Sequence, residues 1–249
     1  YPLRAHLCHT PARPQVHAQW NAFQSKLPRL AKQYSDAYAA IYHVVAKWAR
    51  KAKHAIPCWS LMLRMTCVGS LAFYVDKKRE ALLPLLLSGA KKARGECTKL
   101  MGEYLRCLPT EFVRTDMESF TSDCKKLLAL LFPKKKEADA DERPLLASIV
   151  VAMGRQHPHF AFSQLQELLQ AKETSPTQKG VLCRALGTLA RDYPREVSGY
   201  NAALGPLMFA FMSDDEEMLA SSAIRSFPYV TVPNAEQEKR IVEKVTQVV

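Results

Sequence analysis

Apolar residues return along this chain three or four positions apart, and this recurrence limits the folds open to it more than any other feature. Phe120, Cys124, Leu127, Leu128 and Leu131 form one stripe, and Leu146, Ile149, Val150 and Met153 the next. Phe162, Leu165 and Leu169 follow, then Leu182, Ala185, Leu186 and Leu189, then Leu204, Leu207, Met208 and Phe211. Earlier in the chain Leu61, Met65 and Val68 run on toward Ala72, and Ile241, Val245 and Val248 close it. That spacing is what a helix shows when it buries one face. Glycine is scarce, at nine residues, and β-branched runs are short, and helical stripes recur instead.

Proline and helix-capping residues punctuate the stripes. Pro57 suits a first helical turn, where its missing N–H costs nothing. Pro109–Thr110, His157–Pro158, Thr174–Ser175–Pro176, Tyr193–Pro194, Phe227–Pro228 and Val232–Pro233 read as boundaries, and Pro84 as the start or the kink of a helix. The acidic run from Ser213 to Glu217 reads as a helix start, because carboxylates there meet the positive end of the dipole. Helix pairs are expected to begin near residues 57, 97, 141, 176 and 214, a step of about 35–45 residues. We therefore expect an all-α fold, a HEAT/armadillo-like helical-repeat solenoid cut from a longer array. A compact bundle is the rival, disfavoured because some twelve helices cannot share one core. Residues 1–16 read as an extended lead-in, 17–136 as a basic helical-repeat segment and 137–249 as a segment continuing the array. The boundary is placed at the low-complexity stretch PKKKEADADERP, residues 133–144.

Charge separates these two segments. Residues 1–136 hold 24 Lys and Arg against 9 Asp and Glu, while residues 137–249 hold 11 against 15. The basic clusters are Lys47, Arg50, Lys51 and Lys53; Lys77, Lys78 and Arg79; Lys91, Lys92 and Arg94; and Lys134, Lys135 and Lys136. In a stacked array, equivalent helix ends share an edge, so these clusters are a candidate partner-binding ridge. The bland alternative is that cations at helix C-termini only offset the dipole.

The longest apolar run, residues 81–87, is far short of the ~20 residues a membrane span needs. The chain opens on Tyr1 without a Met, and we expect it to be a window from a longer polypeptide. Seven cysteines, odd in number and without CxxC spacing, read as reduced and buried thiols.

No phosphate-cradling GxGxxG or GxxxxGK[ST] occurs, nor HExxH or paired CxxC. His157 and His159 flank a proline between stripes and are expected to pack between helices. His6, His9 and His17 lie in the extended lead-in or at its edge and are read as solvent-facing or packing residues. Cys97 has no legible base, and the acidic pairs at 214–217 are accounted for by the helix start. Trp20 and Trp59 sit in helical stripes and are expected in the core rather than in a nucleic-acid site, although Trp48, Phe73 and Tyr74 also lie among lysines. We expect no enzyme activity, no catalytic residue, no metal and no cofactor.

Six segments, in order, resemble the amino-terminal cell-morphogenesis region of the Furry family: VHAQWNAFQSKLPRLAKQ, KAKHAIPCWSLMLRMTCVGS, REALLPLLLSGAKK, SFTSDCKKLLALLFPKKK, RQHPHFAFSQLQELLQ and TQKGVLCRALGTLA. The resemblance covers about residues 17–192, and HPHFAF with LLALLFPKKK carries most of it. Gly187 and Thr188 depart from it, standing where a more hydrophobic continuation is expected, and residues 200–249 match only as generic helical repeat. The resemblance implies a large scaffold that cooperates with NDR/LATS-type kinases and Mob co-activators in polarity and cell shape. It also implies association with microtubules or the cell cortex, and hence a cytoplasmic location. A solenoid that binds nucleic acid or transport cargo through its basic half is the alternative.

Overall fold

The computed structural model describes residues 14–50, 55–69, 94–133 and 142–231, with positions 86, 140, 239, 242 and 243. Among the described residues there is no strand, and the fold is all-α. The helices are α1 (Pro14–Gln33), α2 (Ser35–Ala49), α3 (Ala55–Val68), α4 (Arg94–Cys107), α5 (Thr110–Thr115) and α6 (Met117–Leu131). They continue with α7 (Arg143–Gln156), α8 (Pro158–Gln170), α9 (Pro176–Asp192), α10 (Pro194–Val197), a 3-10 turn (Ser198–Tyr200), α11 (Asn201–Phe211) and α12 (Glu217–Val230). The expected starts near 57, 97, 141, 176 and 214 correspond to helices beginning at 55, 94, 143, 176 and 217. The chain divides into two compact units, Tyr1–Phe120 and Thr121–Val249.

In the first unit α2 packs on α3, α1 on both, and α3 on α4. Its core is filled by large side chains: Tyr38, Tyr42, Trp59, Met62, Met65 and Met101 are all buried. The Tyr38 hydroxyl donates to the Met65 carbonyl at 2.7 Å, tying α2 to α3. Burial drives the Tyr38 hydroxyl's pKa well above its usual value, so it stays a donor. Buried residues surround α3 instead of forming a stripe, and the expected stripe ends early, with Val68 37% exposed.

In the second unit α7, α9 and α12 pack in one row, α8 and α11 in another, with α8 on α9 and α11 on α12 across the rows. The stripes at 124–131, 146–153, 162–169 and 182–189 are buried at every residue named above. On α11, Leu204 and Met208 are buried but Leu207 and Phe211 are only half-buried, and Lys179 lies 5.4 Å above the Phe211 ring. The start of α9 is fixed by a capping box: the Gln178 N–H donates to Ser175 Oγ, and the Ser175 N–H donates to Gln178 Oε1.

The α9–α12 contact depends on missing side-chain volume. A Cβ on Gly187 would collide with the Ser226 side chain and reach 3.0 Å from its Cα; one on Gly180 would lie 3.2 Å from the Met218 carbonyl oxygen and 3.3 Å from Leu219 Cα. Ser226 Oγ uses the closeness to donate to the Cys183 carbonyl at 2.8 Å. Gly187, where the resemblance leads one to expect a hydrophobic residue, is thus the place where α12 comes closest.

Prolines at 109, 158, 176 and 194 stand at helix starts, as expected. Pro228 does not: it lies inside α12, near its end at Val230, and leaves the Ile224 carbonyl without its i+4 N–H donor. Pro28 and Pro206 are also inside helices. Pro84 and Val232–Pro233 lie outside the described residues.

Candidate partner-binding surface

Cations define the candidate surface, so their placement comes first. Lys47 sits in the last turn of α2 and Arg50 caps that helix; both are exposed. Their backbone site is the negative end of the α2 dipole, which favours positive charge with or without a partner. Arg94 instead opens α4, at the positive end of a helix, so the dipole gives no account of it. Lys51, Lys53, Lys77, Lys78, Arg79, Lys91, Lys92, Lys134, Lys135 and Lys136 lie outside the described residues, as does any alignment of these clusters into a ridge.

Single cations at helical spacing escape a search for runs. Lys26, Arg29 and Lys32 are exposed on α1 three residues apart, and Arg29 Nε donates to Gln33 Oε1 at 2.9 Å. Reading cations with the same period used for apolar residues finds them.

Of the described cysteines, Cys58, Cys97, Cys124 and Cys183 are buried as expected, whereas Cys67 is half-buried and Cys107 is exposed, at the last residue of α4. Burial raises the pKa of the Cys97 and Cys124 thiols, with the neighbouring carboxylates Glu96 and Asp123 adding to it. Cys183 is pushed up to about 12 by burial. Thiols in that state are protonated and poor nucleophiles. His157 is lowered below the usual histidine range, first by burial and then by the neighbouring His159. Its ring packs 5.9 Å from Phe160, and His159 packs 6.4 Å from Tyr200, whose hydroxyl donates to the His159 carbonyl. His157 is half-buried at the α7–α8 junction, as expected, whereas His159 is exposed there. Glu217 stands in the first turn of α12, where the acidic run was expected to meet the dipole, and just ahead of the helix Asp214 Oδ1 accepts from the Glu216 N–H at 3.0 Å. Among the described residues, no three His, Cys, Asp or Glu side chains are grouped to hold a metal ion. No helix among them is long and apolar enough to cross a membrane.

Trp59 is buried as expected, and its indole N–H meets no hydrogen-bond acceptor among the described residues. Trp48 is half-buried; Phe73 and Tyr74 lie outside the described residues, as do the histidines at 6 and 9.

No family model matches the chain, and no curated protein does. Among solved structures it is similar to an engineered protein whose crystal structure comes from the Northeast Structural Genomics Consortium. The two are 12% identical with a TM-score of 0.40, over 89% of this chain and 92% of that one. A likeness that slight supports neither a fold assignment nor a function.

Proposed function

We propose that this chain is a non-enzymatic helical-repeat scaffold, part of a HEAT/armadillo-like array, that binds an NDR/LATS-type kinase and its Mob co-activator. In this reading it links them to the cytoskeleton or cell cortex in polarity and morphogenesis, in the cytoplasm. The observation that carries it is the ordered series of Furry-like segments. Support comes from where they fall: the first lies in α1, the second spans α3, the fourth runs through α6, the fifth makes the α7–α8 junction and the sixth lies in α9. A scaffold without chemistry is also in keeping with protonated, buried thiols and acidic residues engaged at a helix start.

Immobilised chain incubated with cell extract is expected to retain both Mob and the kinase. Retention of neither overturns the reading. Reversing the charge of Lys47, Arg50, Lys51 and Lys53 is expected to abolish co-sedimentation with microtubules while kinase and Mob retention persists.

The excess of cations in residues 1–136 favours one second reading, a basic solenoid that binds nucleic acid or transport cargo. Tight binding to nucleic acid that falls steeply with salt, and is lost in the same charge-reversed chain, would put that reading first.

A further inference from the structure

The chain has eight methionines. Met62, Met65, Met101, Met153, Met208 and Met212 are buried, whereas Met117 and Met218 are half-buried. Met218 stands in the first turn of α12, and Arg143 is the first residue of α7. Helix α9 packs against both of these helices. Across that row Arg143 Nη1 donates to Met218 Sδ at 3.4 Å. The methyl end of Met218 rests over Gly180 of α9, where a Cβ would lie 2.7 Å from Met218 Cε. We propose that Met218 is a peroxide-oxidisable methionine whose sulfoxide oxygen is held by Arg143, clasping the start of α12 to the start of α7.

Two properties set Met218 apart. Oxidation needs a sulfur that peroxide can reach, and burial keeps six of the eight methionines from it. The oxidised side chain also needs a partner for its new oxygen. In an apolar core that oxygen is an unsatisfied acceptor, and packing is disrupted. Beside a guanidinium it is a better acceptor than the sulfur it replaces, because thioether sulfur accepts weakly and a bond donated by a cation is charge-assisted. Arginine keeps its proton throughout the working pH range, so the donor persists. Both side chains are long and unbranched. Rotation about their own bonds lets the oxygen meet the guanidinium while the methyl keeps its place over Gly180.

The reaction balances with peroxide alone. A sulfur lone pair attacks one peroxide oxygen, and the S–O bond forms as the O–O bond breaks. The attacked oxygen gives its proton to the departing hydroxide, which leaves as water. One thioether and one hydrogen peroxide give one sulfoxide and one water, with two electrons passing from sulfur to oxygen. Methionine sulfoxide reductases reverse the step, so the clasp can be released.

The test treats the complete 249-residue chain with hydrogen peroxide and follows every methionine by mass spectrometry over time. Met218 is expected to gain one oxygen several-fold faster than any of the six buried methionines. In Met117→Leu, where Met218 is the one half-buried methionine left, the oxidised chain is expected to unfold at a urea midpoint no lower than that of the untreated chain. With Arg143→Leu added, oxidation is expected to lower the midpoint; with Arg143→Gln, which keeps a donor but no charge, the loss is expected to be smaller. The proposal is overturned if Met218 is oxidised no faster than the buried methionines, or if oxidation lowers the midpoint as much with Arg143 present as without it. The oxidation map uses the unsubstituted chain, so that arm does not depend on any variant folding.

Discussion

The two compact units solve helix packing in opposite ways. The first fills the space between helices with bulk: tyrosines, methionines and Trp59, with one hydroxyl–carbonyl bond from Tyr38 to Met65. The second removes bulk, so that α9 and α12 meet where Gly180 faces Met218 and Leu219 and where Gly187 faces Ser226. Bulk tolerates neighbours that move a little, because long unbranched side chains adapt. A close seam does not, since its contacts involve backbone. The first unit should thus be sensitive to truncation and the second to enlargement.

Truncating the first unit's core gives the largest expected effect. Met62 is fully buried, and Met62→Ala is expected to cost about 2–5 kcal/mol, read as a lower midpoint in urea. Enlarging the second unit's seam comes next: Gly187→Ala is expected to cost about 1–3 kcal/mol by the same measurement. Gly199→Ala is its control, with open space around the new methyl and an expected change within about 0.5 kcal/mol. Equal costs at the two glycines would mean the seam is looser than described. Ser175→Ala removes the side-chain half of the α9 cap and is expected to cost about 0.5–2 kcal/mol, with faster amide exchange in the first turn. The smallest effect is expected for Tyr38→Phe, about 0.5–1.5 kcal/mol, because the ring stays packed and only the hydroxyl is lost. A change above about 3 kcal/mol there would show the first unit to be the more rigid one.

How much the sequence reveals follows the same division. Stripes such as 146–153 and 182–189 are legible because a helix facing a core writes its period into the residues it buries. Val68 departs from its stripe because it is the last residue of α3, where the helix runs out and the side chain is exposed. Gly187 hides its role because a close approach is made by an absent side chain, which a search for apolar residues passes over. Pro228 shows that proline near a helix end is tolerated as well as disruptive. The surface is the least legible: Lys47 and Arg50 satisfy a helix dipole equally well with or without a partner, and nothing in the pattern distinguishes the two.

Gln178 links one more pair of elements. Besides closing the cap of α9, its Nε2 donates to the Pro133 carbonyl at 3.1 Å, at the exit of α6. That bond anchors the chain on the near side of residues 134–141, and α7 takes it up again at Arg143. Losing the Gln178 side chain would therefore loosen two places at once, the entry to α9 and the exit from α6.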